Sequence, residues 1–332
     1  MQALDIFNPQ ISVVAHGLAG KVIMLYGGNS TGKTYQSVRM EKPYVLACES
    51  GLNAQNGIPF ANIRTWSDFM FIVKQLTSPA TVDQAKERYS TIIIDEVYAS
   101  AQFCKKYICN KYKAPSIGEG NNGYGLWDQY ETEYWNAINM IVGAGYTVVF
   151  IAHAREKDGF YFPKGDSRSI SPIMDNCDII AFLKANGVDE DGKVIHSSAY
   201  FSEVPGKFFA RTRFDYMDTY LEDFTAENLE KAIAKGIERQ EEAENFKSVT
   251  FKEQVDNNEV EKISFKELKE KVTEAGNIIA EHEHFDRLKE MISDTLGEGN
   301  SVQDATERQY ESLAILLMNL EDEFSDILKS AS

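Results

Sequence analysis

Long hydrophobic runs are missing from this chain. Nowhere do about 18 apolar residues follow one another, so no membrane-spanning helix is expected. The opening stretch, residues 1–9, carries Asp5 and no basic start, so it does not read as a secretory leader. Cysteine is scarce. Cys48, Cys104, Cys109 and Cys177 form no C-x-x-C pair, which points to reduced thiols in a cytoplasmic protein. No period of 20–50 residues recurs, which excludes a repeat architecture. Basic charge is also in deficit, with 34 Lys and Arg against 51 Asp and Glu. The imbalance is local. Residues 221–332 hold 28 acids and 13 bases, whereas residues 1–220 hold 23 and 21. The first part is therefore nearly neutral, and the net acidity does not exclude a nucleic-acid partner for it.

What is present suffices for a packed protein. At 332 residues, 43% hydrophobic and 11% aromatic, the chain has length for about two domains and material for a core. Its organising stretch is Lys21 to Thr34. A short apolar run suited to a buried parallel strand leads into Gly27-Gly28-Asn29-Ser30-Thr31-Gly32-Lys33-Thr34, which fits G-x-x-x-x-G-K-[ST]. Glycines let successive N–H groups curl inward around a phosphate, and the following helix adds its positive end. Lys33 is placed to reach the β- and γ-phosphates of a nucleoside triphosphate, the Thr34 hydroxyl to ligate Mg²⁺, and Tyr35 completes the nucleotide-binding set. ATP and Mg²⁺ are the expected ligands.

Further along, Pro43 to Cys48 reads as a second buried strand ending in Glu49-Ser50-Gly51. Residues 66–89 read as helix. Thr91-Ile92-Ile93-Ile94-Asp95-Glu96 reads as a strand whose terminal Asp95 is either a Mg²⁺ ligand or the cap of the next helix. A helix over 97–113 carries Lys105, Lys106, Lys111 and Lys113 with interleaved aromatics, and a loop over 114–125 follows. After a helix over 127–142, Tyr146 to Ala152 makes a fourth buried strand, ending in His153. Residues 154–172 read as a long loop bearing Arg155, Lys157, Phe160, Tyr161, Phe162, Lys164 and Arg168. Two strands joined by an acidic turn at 188–192 follow, then a strand over 208–214 with Arg211 and Arg213 on one face. The rest is a charged helix over 224–243, a polar linker over 246–262, and two long helical stretches, 264–296 and 301–328. The domain reading is an ATPase core over 1–222, a helix and linker over 223–262, and an acidic helical region over 263–332.

This order of elements resembles the RecA-like ATPase core, and more closely the small RecA-like ATPases of bacteriophages, grouped with phage AAA ATPases and single-strand annealing proteins. The likeness spans roughly Val22 to Leu221 and rests on Gly27 to Thr34, Glu49 to Gly51, Asp95, Ile151 to His153, and Phe209 to Phe214. The last stretch is similar to the Lys-Asn-Arg-Phe-Gly signature of the RadA branch, with Arg211, Thr212 and Asp215 in place of its lysine, asparagine and glycine. The resemblance implies an α/β fold with a mostly parallel sheet flanked by helices. It implies that Glu49 activates the attacking water, although other P-loop branches assign this to the acid after the Walker B aspartate, here Glu96. It implies that His153 senses the γ-phosphate, and that the following segment, 154–172, contacts DNA, where the alternative is a lid over the nucleotide. Arg211 and Arg213 are then either fingers reaching a neighbour's γ-phosphate or ordinary solvated arginines. The lysines of 105–113 are a second DNA-contact candidate or a solvated helix face. The expected activity is Mg²⁺-dependent ATP hydrolysis acting on single-stranded DNA in phage recombination or annealing, in the host cytoplasm. The expected partners are copies of the same chain, with nucleotide at the subunit interfaces, and a single-strand-binding or other recombination protein. A DNA motor, or a nucleotide-gated interaction module using the acidic region, is the alternative.

Overall fold

Strand β1 (Val22–Gly27) is buried along its whole length, and its side chains divide by strict alternation. Val22, Met24 and Tyr26 enter one hydrophobic cluster; Ile23 and Leu25 enter another on the opposite face. Such two-sided burial requires helices on both faces of a parallel sheet, and the computed structural model has that layering. It describes Phe7, residues 9–258 and residues 263–330. The chain forms two compact units, Ile11–Asn257 and a second comprising Met1–Gln10 with Asn258–Ser332.

In the first unit β1 is followed by α1 (Lys33–Ser37), β2 (Pro43–Ala47), β3 (Phe60–Asn62), α2 (Trp66–Thr77), α3 (Val82–Arg88), β4 (Thr91–Asp95), α4 (Val97–Lys111) and α5 (Trp127–Gly143). Then come β5 (Thr147–Lys157), β6 (Phe160–Pro163), α6 (Ser167–Asn176), β7 (Ile179–Lys184), β8 (Ser198–Tyr200), β9 (Arg211–Thr212), β10 (Tyr220–Leu221), α7 (Ala226–Glu244) and α8 (Phe251–Asn258). The sheet runs β10-β8-β7-β1-β5-β4-β2-β3, with β6 on β5 and β9 on β7. Pairing is parallel from β7 through β3, so the carboxyl ends of β1, β2, β4 and β5 share one edge. The expected α/β class, with a mostly parallel sheet between helices, is what the chain adopts.

Several local expectations change. The helix expected over 66–89 is two, α2 and α3, because Pro79 forces Ser78 into extended backbone. The helix-compatible run after the phosphate loop, Thr34 to Met40, is helical only as far as Ser37. The loop expected over 154–172 is no loop. β5 continues to Lys157, turns at Asp158-Gly159, both at positive φ, and returns as β6 before Asp166 caps α6. Asp-Gly between alternating segments is a tight-hairpin signal. The polar stretch read as a linker carries α8 over residues 251–258, and the Phe251 ring packs so closely on Gly20 that no side chain fits there. Residues 259–262 of that stretch lie outside the described residues.

The second unit is helical: α9 (Phe265–Glu281), α10 (Phe285–Leu296), α11 (Tyr310–Glu323) and α12 (Ser325–Ser330). Its own core gathers Leu268, Val272, Ile279, Leu288, Leu313, Leu316, Leu317 and Leu320. The stretch expected as one helix over 264–296 breaks at Glu283, which sits at φ 66.

Candidate functional site

The loop between β1 and α1 is shaped by what a side chain would strike. A Cβ on Gly27 would lie 2.4 Å from the Leu183 carbonyl oxygen, so only glycine leaves β1 packed against β7 here. Gly32 takes φ 79 at the start of α1. The Lys33 ammonium turns back into this curl and donates to the carbonyls of Gly28 at 2.7 Å and Gly27 at 3.1 Å. Burial pushes it down to about 8, with Asp95 and Glu96 pulling it back up. A buried cation resting on loop carbonyls is poised for a polyanion that would pair it better.

Opposite Lys33, the Thr34 hydroxyl donates to Asp95 Oδ2 at 2.8 Å. Burial raises the Asp95 carboxyl above its usual range, and the Thr34 bond opposes the rise. A Cβ on Gly51 would come within 3.1 Å of the same Oδ2. Sequence reasoning placed Gly51 in the strand-end motif without seeing this contact. A hydroxyl and a carboxylate are hard oxygen donors that suit Mg²⁺, whose remaining positions are ordinarily filled by phosphate and water. Thr34 and Asp95 therefore fit that ion.

Two further acids stand at this edge in different settings. Glu96 is only 2% exposed. One carboxylate oxygen caps α4 by accepting from the Ala99 N–H at 3.3 Å, while Oε1 is buried without a hydrogen-bond partner. Burial, reinforced by the charge of Glu49, lifts Glu96 from 4.5 to about 7. Glu49 is partly exposed, and its Oε2 lies 3.6 Å from His153 Nε2. His153 is in register with Gly27 across the β1–β5 pair. Topology thus gathers Lys33, Thr34, Glu49, Asp95, Glu96 and His153 from four strand ends.

Beside the loop lies a cleft of about 730 Å³ between Asn29 to Gly32, Tyr35 and the connection after β7. Its outer wall includes the exposed Val188, Val194 and Ile195. The Tyr35 ring carries the Arg39 guanidinium 3.3 Å from its centre. The acidic turn read from 188–192 gave no hint of this wall.

The remaining candidates separate. On the β5–β6 hairpin, Arg155 pairs with Phe162, Lys157 with Phe160, and Glu156 with Tyr161. Alternation therefore places two cations and two phenylalanines on one face, and sends Glu156 and Tyr161 to the other. Tyr161 stacks on Phe182, with ring centres 5.8 Å apart, and so stands apart from Phe160 and Phe162. Lys164 follows β6, its N–H bonded to the His153 carbonyl at 2.8 Å. Arg168 lies over the Trp127 ring at 5.3 Å. On α4, Lys105 is engaged with Asp166 at 3.0 Å, Lys111 faces Glu133 at 3.8 Å and Lys106 is exposed; the helix expected over 97–113 ends at Lys111, so Lys113, also exposed, lies beyond it at φ 53. Arg211 donates to the carbonyls of Met174, Asp175 and Cys177, and Arg213 to Asp178 and the Asp175 carbonyl. Both arginines thus close the end of α6. β9 pairs with Ile179 and Ile180, at the edge of the sheet opposite to Gly27.

A glycine loop cradling a buried lysine, with a hydroxyl–carboxylate pair facing it, defines a P-loop nucleotide-binding protein. The chain belongs to the AAA domain family, whose model matches residues 19–214. It is also 50% identical over 321 residues to the SPbeta prophage-derived uncharacterized protein YorG of Bacillus subtilis (strain 168), a match covering 96% of this chain and 98% of that protein. An AAA domain implies nucleotide binding. Among the described residues no helix is long and apolar enough to cross a membrane.

Proposed function

We propose that this chain is a phage-type, Mg²⁺-dependent ATPase whose turnover responds to single-stranded DNA held on the β5–β6 hairpin. One observation carries the reading. β5 is a single unbroken strand that places His153 beside Glu49 at the nucleotide edge and, two residues later, opens the basic and aromatic hairpin face with Arg155. Single-strand binding needs cations along the backbone and flat rings for the bases, and the hairpin face supplies both without a carboxylate among its cross-strand partners.

In this mechanism Lys33 leaves the Gly27 and Gly28 carbonyls for the triphosphate, and Thr34 with Asp95 would hold Mg²⁺. The ion, when bound, neutralises charge on the phosphate oxygens. The nucleobase occupies the cleft beside Tyr35. Glu49, partly open to solvent, takes the proton of the attacking water. Glu96, buried and half protonated near neutrality, is given to holding the start of α4. His153 reports the state of the phosphate edge to the hairpin. The active form is an oligomer of this chain. Arg213, whose side chain is about half exposed, is the arginine with reach toward a neighbour; Arg211 is committed to α6.

Hydrolysis measured with and without single-stranded DNA tests the reading. Turnover should rise with DNA, and binding should weaken steeply with salt. Neither stimulation nor binding at low salt would refute the DNA part, and turnover by Lys33→Ala would refute the site.

A further inference from the structure

Beneath the hairpin face lies a cleft of about 440 Å³, separate from the nucleotide edge. Phe160 and Phe162 form one side, with ring centres 6.5 Å apart and planes 30° from parallel. Phe209, Met174 and Ser171 line the rest, and Arg155 and Lys157 stand at its mouth. The Arg155 guanidinium lies 5.7 Å from the Phe162 ring centre. Asp166 also borders the cleft, but its carboxylate is taken up by Lys105 and by the N–H and hydroxyl of Ser169. The volume falls within the range of about 300–1,000 Å³ typical of small-molecule sites, enough for one flat ring system with its sugar and too small for a duplex.

We propose that this cleft takes a single nucleobase, turned out of the stack of a bound DNA strand, with its flanking phosphates on Arg155 and Lys157. The inference rests on the single-stranded DNA reading above. The chemistry of the walls follows that shape of ligand: aromatic and thioether surface for an uncharged ring, cations outside for the charges on either side of it. Apart from the charged residues, the exchangeable side-chain groups along the cleft are the hydroxyls of Ser167 and Ser171, which donate or accept equally well, so the site holds any of the four bases.

The test compares the affinity of the full-length protein for a short fluorescent oligothymidylate and for the same oligomer carrying abasic sites. The abasic strand should bind about tenfold more weakly. Ser171→Trp, which fills the cleft from an exposed helix position, should bring both strands to the same affinity while leaving basal ATP turnover unchanged. Phe160→Leu, which keeps the apolar volume and removes the flat ring, should narrow the difference by about fivefold. Equal affinity of the wild type for both strands would overturn the base site and leave the DNA reading standing. Binding of neither strand at low salt would overturn both.

Discussion

The buried Glu96 makes a sharp demand on the pH dependence of stability. Its carboxyl is held at about 7 in the folded chain against an ordinary 4.5, chiefly by burial and then by the charge of Glu49. Below about pH 4.5 the group is neutral whether the chain is folded or not, and it costs nothing. As pH rises toward 7, the unfolded chain ionises there first, so the folded state progressively loses stability. Above 7 the full cost persists. At 1.36 kcal/mol per pH unit, that cost is roughly 3 kcal/mol. Glu96→Gln removes the titration. Its amide would place an N–H₂ where Oε1 has no partner, which costs back about 1 kcal/mol at every pH. The variant should therefore be slightly less stable than the wild type at pH 4.5 and more stable, by about 2 kcal/mol, at pH 8. Thermal unfolding of both proteins across this range measures the swing. At about 2–4 °C per kcal/mol for a unit of this size, the difference in Tm should reverse sign and move by about 6–12 °C. Parallel Tm curves would show that Glu96 does not titrate in this window and would refute the reasoning.

Three further outcomes are expected. Because burial holds Lys33 at about 8, ATP binding above that pH must take up a proton; the Kd should rise by up to about tenfold per pH unit beyond 8, and a flat Kd between pH 7 and 9.5 would contradict the buried ammonium. Gly51→Ala puts a methyl group 3.1 Å from Asp95 Oδ2 and should raise the Mg²⁺ concentration needed for half-maximal hydrolysis by about 10- to 100-fold, the usual effect of disturbing the groups behind a ligand. Phe160→Ala with Phe162→Ala should weaken single-strand affinity at least about tenfold, whereas Tyr161→Ala, on the other face of the hairpin, should leave it unchanged in a binding titration.

The hairpin marks where reading the sequence stops. Its aromatic and basic residues were visible as a cluster, yet Phe160, Tyr161 and Phe162 stood as equals and the acids nearly cancelled the bases. Only the strand pairing, with Arg155 opposite Phe162 and Lys157 opposite Phe160, divides them into a face without carboxylates and a face where Tyr161 stacks on Phe182. The Asp158-Gly159 pair is the available signal, and it lies inside the stretch whose sequence reads as one long loop. Arg211 and Arg213 show the same limit. Their alternation put them on one side of a strand, but their partners, the carbonyls of Met174 and Asp175, belong to the end of another helix.

The sequence by itself determined the nucleotide edge. Gly27 to Thr34 and the strand ending in Asp95 carry local chemistry, since backbone N–H groups, a lysine and a hydroxyl at fixed spacing bind phosphate through short-range geometry. The alternating burial of β1 and the parallel class followed from hydrophobic runs that need cover on both faces. What only the tertiary structure decided is which acid is buried and which faces solvent, which cations are free, and where the clefts lie. Glu49 and Glu96 are both strand-end acids in the sequence; burial at the cap of α4 for one and partial exposure beside His153 for the other make them chemically unlike. Desolvation and pairing depend on neighbours brought together from distant parts of the chain, and spacing along the sequence carries no record of them.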